Sequence, residues 1–281
     1  MVRAPRFSLH CLRPAIDWTK CCLLLASALV YSNLASSAFA QTKDIVFSGG
    51  GTKTFDGWSN MTVFRLGSLN YGSWPGAKVW TQAITANLTG SGGGLLNRLA
   101  GSPNGGGPFP SDTSLYFGSS TTVANTLGGT LGVGRAPISG VRTVVFQIEL
   151  GEGQPQGQTR YFFHEPVGNP AAGRPTLYIN GQPLATPTHT VLVNQRTTGG
   201  GGETGEDPVF VNTYGYQWNI STPNVTSLEI RFSCVEHVSI YSMRLDQTSV
   251  LQSNNVFETP SPAPVMNLSG TGLAFGSVSV G

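Results

Sequence analysis

An all-β fold, a β-sandwich, is what this sequence predicts, on three observations. From Tyr214 to Asp246 apolar residues recur at every second position: Tyr214, Tyr216, Trp218 and Ile220, then Leu228, Ile230 and Phe232 after the turn signal Ser221-Thr222-Pro223-Asn224. A period of two places one set of side chains on one face of a sheet. The chain carries 37 glycines and 18 prolines, residues that supply turns and interrupt helices. No helical period of comparable length accompanies them.

Residues 1–40 have the layout of a secretory signal peptide and are set apart from the fold. Arg3, Arg6, Arg13 and Lys20 give a positive start, Cys21 to Val30 an apolar core, and Ala38-Phe39-Ala40 a small-x-small cleavage site before Gln41. That core is too short to span a bilayer, which takes about 20 residues. The mature chain is therefore expected to be secreted or on the cell surface, with no transmembrane segment.

Charge and cysteine content follow from that division. Residues 1–40 hold four of the 16 Lys/Arg and one of the 14 Asp/Glu residues, leaving 12 basic and 13 acidic side chains. The formal pI near 8.4 belongs to the leader, and no basic cluster suited to nucleic acid remains. Three of the four cysteines lie in the leader too, so Cys234 has no partner for an internal disulfide.

Along the mature chain, Lys43 to Phe47 is a short strand candidate followed by three glycines, and Leu95 to Leu99 reads as a helical turn. Ser114 to Gly118 reads as a strand, and Thr121 to Gly140 as glycine-rich connection. Val141 to Leu150 is a β-branched strand bounded by Gly140 and Gly151. Its Val144, Phe146, Ile148 and Leu150 are expected to be buried, and Thr143, Val145, Gln147 and Glu149 to be half wet. Thr159 to Phe163, Thr176 to Ile179 and Thr190 to Val193 follow, the second ending on Asn180-Gly181, suited to a type I′ turn. The last strands change phase: Val238 and Ile240 are even, Met243 and Leu245 odd, which predicts a bulge near Tyr241.

The β-sandwich domain is assigned to residues 41–255, and residues 256–266, with Thr259 to Pro264 (TPSPAP), to a Pro-rich linker. Residues 267–281, through Leu273, Phe275-Gly276, Val278 and Val280-Gly281, resemble the opening strand of the immunoglobulin-like repeat of bacterial exported choice-of-anchor D and ASH-type proteins. Such a repeat needs about 100 residues, so the resemblance implies a truncated immunoglobulin-like repeat. Residues 143–152, Val193-Asn194-Gln195, YGYQWNIS (214–221) and 233–247 resemble the jelly-roll region of bacterial exported proteins that carry a C-terminal sorting tail. That resemblance implies a jelly-roll-like β-sandwich in a secreted or cell-surface protein and brings no chemistry.

Catalytic patterns are sparse. There is no Gly-x-Ser-x-Gly elbow and no His/Cys grouping with zinc spacing. His164-Glu165 and Glu236-His237 pair a base with an acid, but adjacent residues on a strand point to opposite faces. Cys234 shares the parity of Phe232 and reads as a buried small hydrophobe. Calcium takes carboxylate and carbonyl oxygens from loops, which makes the acidic loop with Glu203, Glu206 and Asp207 one candidate, while the jelly-roll resemblance implies a structural calcium near the chain ends, at Asp44 and Asp246.

Sugar recognition uses aromatic faces with polar groups beside them. Tyr214, Tyr216 and Trp218 share a face and form either such a platform or, since Ile220 continues the stripe, part of the core. Trp58, Tyr71 and Trp74 lie among glycines and are candidates to line a ligand surface. The function expected is a non-enzymatic surface or matrix protein whose partners are carbohydrate or other surface proteins, with no cofactor beyond a structural calcium. The alternative is a secreted carbohydrate-active hydrolase or lyase, which needs two carboxylates converging in a cleft; Glu149, Glu165, Glu236 and Asp246 are its candidates.

Overall fold

The computed structural model describes residues 42–67, 82–103, 107–118, 123, 125–153, 160–184, 186–198 and 209–257. Within them lie thirteen strands: β1 Lys53–Trp58, β2 Ile84–Thr85, β3 Leu95–Gly101, β4 Phe109–Pro110, β5 Leu115–Tyr116, β6 Leu127–Arg135, β7 Thr143–Gly151, β8 Thr176–Ile179, β9 Gln182–Pro183, β10 His189–Thr198, β11 Val209–Asn219, β12 Leu228–Val235 and β13 Ser239–Thr248. One four-residue helix, α1 (Val63–Leu66), interrupts them. The strands form two antiparallel sheets, as the all-β sandwich expectation requires. A seven-stranded sheet runs β10-β11-β7-β13-β5-β4 with β1 also on β13, and a six-stranded sheet runs β2-β3-β6-β12-β8-β9.

Alternation decides what the sheets enclose. Val144, Phe146, Ile148 and Leu150 of β7, Tyr216 and Trp218 of β11, and Met243 and Leu245 of β13 turn inward onto Leu131 and Val133 of β6 and Ile230 and Phe232 of β12. The rings of Phe146 and Phe232, one from each sheet, have centroids 5.8 Å apart. Each such buried side chain contributes about 1.5–3 kcal/mol of transfer free energy. The Asn180-Gly181 turn has φ of 51° and 78°, as a type I′ turn demands. The β13–β7 register slips between Ile240 and Ser242, leaving Tyr241 as the extra residue and explaining the phase change.

The outer face of β7 departs from expectation, for all nine residues of the strand are buried. Two irregular segments cover it, and glutamine amides hold them there. Gln147 accepts from Lys43 N at 3.0 Å and donates to Lys43 O at 2.7 Å. Gln217 donates to Gln252 O at 2.8 Å and accepts from Val256 N at 3.1 Å. Gln252 in turn pairs with both backbone groups of Ser48 at 3.0 Å. A primary amide offers the same donor and acceptor as a peptide unit, so the segments dock as though adding strands. Lys43 to Phe47 is accordingly docked on the sheet without being a strand.

Two other segments also differ. Leu95 to Leu99 belongs to β3, where pairing with β6 supplies backbone partners that a single helical turn could not. The glycine-rich stretch contains β6, paired on both sides. Gly128 there is dictated by packing, because a Cβ would fall 2.7 Å from the Val235 carbonyl oxygen. From the Thr159 to Phe163 expectation, Phe163 makes one bridge to Cys234. The signal peptide, the linker expectation from residue 258 onward and the immunoglobulin-like strand lie outside the described residues.

Candidate functional site

Antiparallel pairing of β1 with β13 sets Lys53 opposite Thr248, Phe55 opposite Asp246 and Gly57 opposite Arg244. Those six positions share the outer face of the seven-stranded sheet. Gly57 is required there, since a Cβ would lie 2.3 Å from Leu88 Cδ1. Arg244 Nε donates to both carboxylate oxygens of Asp246, at 3.1 and 3.0 Å, and its Nη1 to Asp44 at 2.5 Å. The guanidinium carbon stands 4.0 Å from the centroid of the Phe55 ring. Two carboxylates and an aromatic face thus fix one cation, whose Nη2 makes no hydrogen bond among the described residues.

This group borders an open cleft of about 830 Å³, lined also by Lys53, Thr54, Phe47 and Thr89. The Asp44 side chain is 88% exposed at its mouth, whereas those of Arg244 and Asp246 are 8% and 4% exposed. Burial pushes the Asp246 carboxyl up to about 7, with the charges of Asp44 and Asp56 adding and Arg244 opposing. A carboxyl titrating near neutrality in a cleft marks a candidate site.

One residue along, on the inner face of β1, Asp56 is fully buried and anchors the wall of the cleft. Its Oδ1 accepts from Gly92 N at 2.8 Å and Gly94 N at 2.7 Å, and its Oδ2 from Arg135 Nη1 at 2.8 Å. Arg135 also donates to Thr54 Oγ1 and the Phe55 carbonyl. The end of β6 is thereby tied to β1, and the segment carrying Leu88, Thr89 and Gly90 is held against the cleft.

Of the residues singled out in the sequence, Asp44 and Asp246 are brought together. The positive charge between them is the Arg244 guanidinium, in the place weighed for calcium. Among the described residues no three His, Cys, Asp or Glu side chains converge as metal ligands. Glu203, Glu206 and Asp207 lie outside the described residues, as do Tyr71 and Trp74.

The aromatic platform is corrected by burial. Trp58 is fully buried and its Nε1 donates to the Ile84 carbonyl at 3.0 Å. Tyr216 and Trp218 are buried and stacked, with centroids 5.9 Å apart and planes at 19°. Tyr214, half-buried, packs on Phe162 and Phe163 and accepts from Asn212. Tyr216 and Trp218 are closed off from solvent in the core, and the half-buried Tyr214 packs against that same core. The Ile220 continuation of the stripe was the signal for core.

The remaining candidates are dispersed. Glu149 accepts from Arg196 at 2.9 Å and Ser242 at 3.0 Å, Glu165 from Arg174 at 3.1 Å, and Glu236 from Ser102 at 2.6 Å. His237 Nδ1 lies 2.8 Å from the Tyr116 hydroxyl. His164 Nδ1 lies 3.1 Å from the Asn125 carbonyl, and burial lowers its pKa against the opposing charge of Glu165. His189 begins the edge strand β10, opposite Gln217. Cys234 is fully buried, which pushes its thiol far above the ordinary range, as for an inert core residue.

Sequence reasoning missed Arg244, Phe55 and the Asp56–Arg135 pair. A signal existed for the first: Arg244 and Asp246, opposite in charge, stand two apart on a strand and hence on one face. The cross-strand partner Phe55 had none. Compared with models of known protein families, with curated proteins and with solved structures, the chain matches none of them.

Proposed function

We propose that the protein is an exported, non-enzymatic interaction module of a cell surface or matrix, and that the cleft at Arg244 binds carbohydrate. One observation carries the reading: Arg244 is fixed by Asp44 and Asp246 on the Phe55 ring, at the border of an open cleft. Neighbouring sugar hydroxyls each donate and accept, and here an exposed carboxylate, a guanidinium edge and the Lys53 ammonium offer both functions side by side. Rigid polar groups lose little freedom on binding, which favours affinity. The signal-like residues 1–40 and the resemblance of residues 267–281 to a surface-protein repeat support the setting.

A glycan-array screen of the chain, followed by calorimetric titration of the best ligand, tests it. Asp44→Ala and Lys53→Ala should each weaken binding about fivefold or more, a loss of roughly 1 kcal/mol. Failure to bind any sugar, or unchanged affinity in both variants, removes the proposal.

Asp246, held near neutrality in the same cleft as Asp44, favours a second reading, a carbohydrate-active hydrolase or lyase. Release of reducing ends from a polysaccharide, abolished by Asp246→Asn, would replace the binding role with that one.

A further inference from the structure

The outer face of the six-stranded sheet carries a separate groove of about 450 Å³, and its floor is Gly134 of β6. Leu95 of β3 and Glu229 of β12 pair with Gly134 on either side, and Tyr178 of β8 pairs with Glu229. The row Leu95–Gly134–Glu229–Tyr178 crosses four strands, about 14 Å at the usual strand spacing.

Gly134 has no structural need to be glycine. Its φ lies outside the left-handed region. A Cβ there would meet nothing closer than the Leu228 carbonyl oxygen at 3.4 Å, which is ordinary contact. Its neighbour Gly132 differs, since a Cβ would fall 2.5 Å from Glu229 Oε1. Gly132 makes room for a carboxylate, whereas Gly134 leaves a trough empty. Glycine within a strand is depleted because it packs nothing and orders poorly, and an approaching ligand is one recognised reason to find it.

The walls are fixed and polar. Arg231 Nε donates to Glu229 at 2.5 Å, and its guanidinium stands 4.2 Å from the centroid of the Tyr178 ring. The pair is neutral overall. The Tyr178 hydroxyl and the half-buried Asn97 amide, both bordering the groove, have no hydrogen-bond partner among the described residues. An extended peptide would find no free main-chain edge, because β6 and β12 are each paired on both sides. A chain of sugar rings needs no such edge: its C–H faces lie on the flat floor and its hydroxyls meet the amide, phenol and carboxylate.

We propose that the groove over Gly134 is a second carbohydrate site, independent of the Arg244 cleft, and that it takes an unbranched chain of neutral sugar residues. The test is titration of the full chain with linear β-1,4-linked hexasaccharides of glucose, mannose and xylose, up to about 1 mM, the weak end of useful affinity. Asp44→Ala/Lys53→Ala should retain binding to one of them. Adding Gly134→Val to that variant should weaken the binding about tenfold or more, without lowering the melting temperature, and Asn97→Ala should weaken it as well. If Gly134→Val destabilises the fold, Asn97→Ala and Tyr178→Phe decide the question. Binding that survives both, binding lost with the cleft substitutions alone, or no binding of any hexasaccharide overturns the proposal. The second outcome leaves the cleft reading standing.

Discussion

Arg244 and Asp246 stand two residues apart on one strand, and the Nε of the first donates to both oxygens of the second, at 3.1 and 3.0 Å. Both side chains are withdrawn from water in a cleft wall, while Asp44, the third member, reaches in from the segment that covers the sheet. The arrangement therefore joins stability, docking of the N-terminal segment and the chemistry offered to a ligand.

Removing the cation leaves Asp246 buried without its partner. Breaking a buried pair from one side costs about 3–5 kcal/mol. Arg244→Leu should therefore lower stability by about 3 kcal/mol in denaturant titration at pH 8, where Asp246 is mostly ionised in the parent. A change below roughly 0.5 kcal/mol, typical of surface substitutions, would show the pair to be dispensable.

Acidification should stabilise the fold through Asp246. Its folded pKa, about 7, lies above the ordinary value of 3.8. Between those values the folded state keeps a proton that the unfolded state has released, so this contribution is present at low pH and is lost as pH rises through 7. The window corresponds to a few kcal/mol, at about 1.4 kcal/mol per pH unit. Melting temperature measured from pH 5 to pH 8 should fall for the parent, with a flatter profile in Asp246→Asn. Equal slopes in the two proteins would count against the assignment.

Gln147 fastens the covering segment by two hydrogen bonds to Lys43. Gln147→Leu should leave the sheets intact and free residues 42–48, because each buried group left unsatisfied costs about 1–3 kcal/mol. Hydrogen exchange should quicken across that segment while β7 and β11 stay protected. Uniform acceleration through the core would instead show that the segment is integral to folding.

The Phe146–Phe232 contact joins the two sheets. Phe146→Ala should cost about 3–5 kcal/mol through lost burial and the cavity it leaves, read by thermal or chemical unfolding. A loss below about 1 kcal/mol would indicate that the sheets do not close on this residue.

Local pattern carried most of the fold. Strands such as β7, β8, β11, β12 and β13 declare themselves because one face is apolar and the other polar, and the Tyr241 bulge follows from a single parity change. β6 was hidden because Gly128, Gly129, Gly132 and Gly134 interrupt its apolar alternation and lower its strand propensity. The buried outer face of β7 was illegible for another reason. Thr143, Gln147 and Glu149 look solvated by composition, and only the distant Lys43 and Val250 carbonyls, with Arg196 and Ser242, show that they are satisfied from within the protein. At the site, Asp44 and Asp246 were named together as ligands of a structural calcium that the jelly-roll resemblance implies. Arg244 as their common partner, with Phe55 beneath it, depended on the β1–β13 register, which no local pattern encodes.

The most direct test of the cleft is the Nε–Hε resonance of Arg244, followed in isotope-labelled protein during titration with the best array sugar. A saturable shift, with a midpoint that matches the calorimetric affinity and weakens in Lys53→Ala, is the expected result. Saturated binding that leaves this resonance unmoved would contradict the account.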